Sequence, residues 1–156
     1  MRPGQVLLGR KKRGLGAGKI VGIGGKCHPG EAAAECAIRE LQEETGAVVA
    51  LQHLDYRGTV EWRFPNKPAW EMVASVYVAT EWTGDLIETD EIEPVWFAFG
   101  TVPYDQMWAD ARMWLPGVFG GASVKLVFIY NDDNTTIRQM IHLSDDESGP
   151  MTGADQ

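Results

Sequence analysis

Apolar positions along the chain come in short runs broken by glycine, proline and charged residues, and two segments read as helices instead. The runs predict strands at residues 5–8, 48–56, 58–64, 70–80, 95–99, 125–130 and 136–142. Residues 10–25 read as a glycine-punctuated loop in which Ile20, Val21 and Ile23 form a short strand. Pro65-Asn66-Lys67-Pro68 predicts a turn, and Trp82-Thr83-Gly84-Asp85 a loop. Residues 31–45 are rich in Ala, Glu, Leu and Gln and are followed by Gly46, a natural helix stop, so they predict a helix. A second helix is expected over residues 104–114, ending near Pro116-Gly117. Residues 144–156 are acidic, carry no apolar pattern and are expected to be a disordered tail, which leaves residues 1–143 as one domain. Strands and helices do not alternate as strict βαβ units, so the expected class is α+β, a mixed sheet with helices packed against it.

Composition narrows the class. With 156 residues, 44% hydrophobic and 23% charged, the chain fits one globular domain with a sizeable core. It contains no apolar run near the roughly 20 residues that span a bilayer. Val6-Leu7-Leu8 is too short for the apolar part of a signal peptide, and a cytoplasmic location is expected. Two cysteines, Cys27 and Cys36, make no disulfide framework and are expected to be free thiols in a reducing compartment.

The net charge of −8 hides an asymmetry: residues 1–30 hold seven basic side chains and no acidic one, and the rest holds seven basic against 22 acidic. Such an acidic body argues against coating nucleic acid. It suits a small anion held between cationic side chains and a metal ion bound by carboxylates.

Two glycine-rich patterns fail as nucleotide loops. In Gly14-Leu15-Gly16-Ala17-Gly18-Lys19 the phosphate-loop template meets Arg13 where its first glycine belongs and Ile20 where it needs Ser or Thr. The G-x-G-x-x-G template meets Val21 at its last position. Residues 25–47 differ. Glu40, Glu43 and Glu44, at i, i+3 and i+4, share one helix face, where like charges destabilise by roughly 0.2–0.5 kcal/mol per pair. Arg39 can pair with Glu43 one turn on, but Glu40 and Glu44 remain adjacent. Stability gives no reason for the cluster. Hard divalent cations such as Mg²⁺, which take oxygen ligands and bridge to phosphates, do.

The segment Gly25, Glu31, Arg39-Glu40-Leu41, Glu43-Glu44, Gly46 resembles the Nudix box, G-x5-E-x7-R-E-U-x-E-E-x-G-U, with Ala47 a small version of the last residue. Val6-Leu7-Leu8-Gly9, Lys11-Lys12-Arg13-Gly14, Gly16-Ala17-Gly18, Gly24-Gly25-Lys26, Asp90-Glu91, Pro94, Trp96-Phe97 and Met107-Trp108 are similar to the branch of oxidised-purine nucleoside triphosphate diphosphatases, the 8-oxo-dGTP-sanitising enzymes. The resemblance implies a mixed sheet sandwiched between helices, with the box as loop–helix–loop. It implies Mg²⁺, with Mn²⁺ as a substitute, held by Glu40, Glu43, Glu44, the Gly24 carbonyl and Glu91. Glu43 or Glu44 would accept the proton from the attacking water, and Arg39 would orient the glutamates. Substrate-pocket positions fall on Lys11, Val21, Ile23, Lys26, Met72, Trp108 and Asp110. The products would be a nucleoside monophosphate and pyrophosphate.

Two departures touch base recognition. Val21 stands where the branch has Asn, and Trp108-Ala109-Asp110-Ala111 where it has Trp-Pro-Asp-Asp. An apolar Val21 makes no hydrogen bond to a purine edge, and a site without its donor or acceptor loses discrimination. Three functions follow: hydrolysis of modified purine triphosphates, hydrolysis of unmodified nucleotides or other nucleoside diphosphate-linked compounds, and a catalytically silent nucleotide sensor. No nucleic-acid or membrane partner is expected. The branch also begins with an extra strand ahead of the one at Val6 that this sequence does not show; either the true start lies upstream, or the sheet has an open edge, which predicts dimerisation or marginal solubility; monomer and dimer are both left open.

Overall fold

In a computed structural model, residues 1–145 are described; all but the first two of the expected tail residues, 144–156, lie outside them. The chain runs through β1 (Gln5–Lys11), β2 (Ile20–Val21), α1 (Ala33–Thr45), β3 (Leu54–Arg63), β4 (Met72–Ala79), β5 (Ile92–Ala98), α2 (Ala111–Phe119), β6 (Val124–Tyr130) and β7 (Ile137–His142). The class is α+β, as expected, with the strands in two sheets. One has the order β2-β1-β5 and is antiparallel. The other has the order β4-β3-β6-β7, with β3 and β6 parallel and the outer pairs antiparallel.

The first strand is not a bare edge. β1 pairs with β5 from Gln5 to Lys11 and with β2 at Gly9 and Arg10, so it is central in its sheet. The expected open edge shrinks to one side of residues 5–8, because the glycine-rich turn after β1 folds Ile20 and Val21 back along it.

Helix α2 links the two sheets. Its buried Ala111 and Leu115 pack with Val6, Leu8 and Ile20 of the first sheet, and Trp114 also reaches the second core of Val60, Phe64, Leu126, Phe128 and Tyr130. The helix starts later than its sequence predicts. Tyr104–Gln106 form a short 3-10 turn, and the helix proper includes Pro116. Proline frees the carbonyl of Arg112, and both residues are exposed, so water can satisfy it.

The strand expected over residues 48–56 is split. Val48 bridges to Thr83, Leu51–His53 form a 3-10 turn, and β3 begins at Leu54 and continues through Gly58. Gly58 has φ 112° at a register shift, and a Cβ there would strike the Val124 carbonyl; glycine is what lets β6 lie alongside.

Candidate active site

The site is built on α1 and the loops around it. The Gly46 N–H, at φ 79°, closes the helix onto the Gln42 carbonyl at 2.9 Å. Thr45 is fully buried and donates its hydroxyl to the Leu41 carbonyl at 2.6 Å. The last turn is therefore fixed, and Glu40, Glu43 and Glu44 project from one ridge. They line a cleft of about 240 Å³ with Thr89, Asp90 and Glu91 from the loop before β5. The Thr89 hydroxyl donates to the Glu44 carbonyl at 3.0 Å, tying that loop to the helix.

Arg39 orders the ridge. Its Nε donates to Glu31 Oε1 at 2.7 Å and its Nη2 to Glu31 Oε2 at 2.9 Å. Its Nη1 donates to Glu40 at 2.8 Å and to Glu43 at 3.0 Å. Its Nη2 also donates to the Lys26 carbonyl at 3.1 Å, so one guanidinium joins the helix to the loop. The Glu31 carboxyl, hydrogen-bonded to Arg39 and then to the His28 N–H, is held down at about 2. Gly25 sits against Glu40, and any Cβ there would collide with the Glu40 carboxylate.

Glu44 is the opposite case. It is 8% exposed, and its carboxyl is pushed up to about 7, first by burial and then by the Glu40 charge. The Gly24 N–H, donating at 3.3 Å, and the Lys11 charge pull the other way without winning. Glu91 is exposed and accepts from Arg13 Nη2 at 2.7 Å. Five carboxylates thus border one cleft, and the most buried of them holds its proton near neutrality. Acidic groups outnumber basic ones around the cleft, and its donors are hard oxygens, so the residues present fit a hard divalent cation.

The remaining predicted residues fall in two places. Val21 and Ile23 are half-buried beside β1, and Lys26 is exposed in the loop leading to α1. Met72 is 49% exposed at the start of β4, opposite Trp62, and is no core residue. Trp108 lies in an aromatic group with Phe64, Trp70 and Tyr130, with Lys19 Nζ 5.1 Å from its ring centre.

Asp110 is not brought to a binding surface. It is 2% exposed, one oxygen accepts from the Tyr130 hydroxyl at 2.6 Å, and the other accepts from Trp114 Nε1 at 2.8 Å. A carboxylate so enclosed and so paired has no free face for a substrate. Tyr130 and Trp114 carried no sequence signal of this role, since each is simply an aromatic in an apolar run. Glu31 was visible as a fixed position of the motif, though its bidentate pairing with Arg39 was not.

The two cysteines are not free thiols. Cys27 and Cys36 are joined as a disulfide, their Cα atoms 5.2 Å apart, because the 27–31 turn folds back over the first turns of α1. The expectation of free thiols fails: proximity is set by that turn and not by composition.

A family model described as the NUDIX domain matches residues 1–118. The chain belongs to the Nudix family. The oxidized purine nucleoside triphosphate hydrolase of Danio rerio is 41% identical over 116 residues, 74% of this chain and 72% of that protein. The Mus musculus protein of the same name is 37% identical over the same shares. The crystal structure of a mutator MutT protein from Bacillus halodurans superimposes with a TM-score of 0.77 at 26% identity, covering 90% of this chain and 91% of that one. The carboxylate ridge, Arg39 and the Gly25 approach to Glu40 are thus features of this chain's Nudix box. No helix among the described residues is long and apolar enough to cross a membrane.

Proposed function

We propose that this Nudix protein hydrolyses purine nucleoside triphosphates, oxidised or otherwise modified ones by preference, to nucleoside monophosphate and pyrophosphate, with residues 1–143 as the working unit. The observation that carries the reading is the convergence of Glu40, Glu43, Glu44, Asp90 and Glu91 on one cation-poor cleft. The names of the Danio rerio and Mus musculus relatives support the substrate class.

In this reading Glu40, Glu43, Glu44, Glu91 and the Gly24 carbonyl hold Mg²⁺, or Mn²⁺ in its place. The bound cation supplies neutralisation of the polyphosphate charge and polarisation of the attacked phosphoryl group. Glu44, or Glu43 beside it, would accept the proton of the attacking water. Arg39 keeps Glu40 and Glu43 aimed at the cleft. Lys11, at the end of β1, and Lys26, in the loop leading to α1, meet the phosphate chain. Val21, Ile23, Met72 and Trp108 meet the base.

A second reading has one observation in its favour. Asp110 uses both oxygens inside the protein, and Val21 offers no polar group, so the base is selected by shape and stacking more than by hydrogen bonds. Unmodified triphosphates or other nucleoside diphosphate-linked compounds would then be accepted. Pyrophosphate release from a panel of oxidised and unmodified nucleoside triphosphates, with Mg²⁺ or Mn²⁺, tests both. Preference for oxidised purines supports the first reading and indifference the second. No release from any member overturns both and leaves a nucleotide sensor.

A further inference from the structure

The disulfide sits inside the functional box, and no step of the hydrolysis uses it. Its two sulfurs differ. Cys27 is exposed in the loop, whereas Cys36 is 3% exposed on α1. The two sulfurs and a Glu31 carboxylate oxygen lie within 4.8 Å of one another. Arg39 Nη2 is 3.9 Å from the Cys36 sulfur, and the same nitrogen bonds the carbonyl of Lys26, the residue before Cys27. The cross-link therefore fastens the loop to the helix at the point where Arg39 bridges them.

We infer that Cys27–Cys36 is a thiol–disulfide exchange site for low-molecular-weight thiols and disulfides, attacked at Cys27, and that its state sets the order of the loop carrying Gly24, Gly25 and Glu31. Access decides the direction: Cys27 is an exposed residue and Cys36 a buried one, so attack from solvent is assigned to Cys27. A small thiolate attacks the Cys27 sulfur and forms a mixed disulfide there. The Cys27–Cys36 bond breaks, and its electron pair leaves on Cys36, beside the Arg39 guanidinium, which stabilises the departing thiolate. A second thiolate attacks the small molecule's sulfur, freeing Cys27 as thiolate and releasing the small disulfide. Each protein thiolate takes one proton, so two small thiols become one disulfide and the protein gains two hydrogens. The reverse sequence uses a small-molecule disulfide as the oxidant. Once the link is open, Arg39, through its bonds to Glu31 and the Lys26 carbonyl, still ties this loop to α1.

The test equilibrates the full chain in glutathione buffers of set reduced-to-oxidised ratio, quenches with acid, alkylates and weighs the intact protein. The expected result is interconversion of two forms across the series. Cys36→Ala should trap one glutathione on Cys27, and Cys27→Ser, which alters only an exposed residue, should take up none on Cys36 while folded. Amide hydrogen exchange over residues 24–31 should be about tenfold faster in the reduced wild type. A pair that stays reduced at every ratio, an adduct on folded Cys36, or equal exchange in the two forms would each overturn the inference. None of these readouts uses nucleotide, so their failure is distinct from failure of the pyrophosphate assay.

Discussion

Arg39 divides one guanidinium among Glu31, Glu40 and Glu43, while Glu44 feels the Lys11 charge but is held by burial with a carboxyl near 7. The two roles separate by mutation. Glu44→Gln removes the proposed proton acceptor and ligand oxygen while keeping the shape; pyrophosphate release should fall by about 100-fold or more, with an unchanged circular dichroism spectrum. Near-normal release would remove Glu44 from the reaction. Gly25→Ala makes a subtler lesion. The new methyl meets the far end of a flexible side chain, so Glu40 swings aside and leaves Arg39. Mn²⁺ affinity, measured by electron paramagnetic resonance, should weaken by roughly tenfold, as when a supporting contact behind a metal ligand is lost. The melting temperature should scarcely move.

At the scale of elements, α2 is placed by a contact that joins it to β6. Asp110 precedes the helix and receives Trp114 from within it and Tyr130 from the strand. Tyr130→Phe keeps the ring and deletes one donor to a buried carboxylate, and should cost about 1–3 kcal/mol of stability in urea unfolding. That long-range contact also explains what the sequence could not tell. Helix α1 was legible because its Ala, Glu and Leu positions and its Gly46 stop are local, and the three glutamates were legible because they ride on it. The start of α2 was not, because the 3-10 turn at Tyr104 and the tolerated Pro116 depend on packing. The parallel pairing of β3 with β6 was equally hidden, resting on Gly58 meeting a strand more than sixty residues on. The same holds for the Arg13 bond to Glu91 and for the disulfide, each made by a fold-back of the chain. Opening that disulfide, which joins residues nine apart in sequence, should lower stability by roughly 2–3 kcal/mol.

For the whole molecule, acid and alkali act on different carboxylates. Glu31, held at about 2 against an ordinary 4.5, binds protons less readily folded than unfolded. Its contribution is present above about 4.5 and fades as pH drops toward 2. Glu44, raised to about 7 from 4.5, does the reverse: folding is favoured below 4.5, and that contribution is lost as pH climbs through 7. Cation-free protein should therefore melt at a lower temperature at pH 8 than at pH 5.5, and added Mg²⁺ should raise the melting point more at pH 8. Equal gains at both values, by calorimetry, would contradict a shared seat for the cation and the Glu44 proton. The aromatic group around Trp108 has an optical consequence as well. Lys19 caps that indole, and a nucleobase arriving on the same face must displace it. Ligand titrations can thus be followed by intrinsic emission, label-free, with Trp108→Phe silencing the signal.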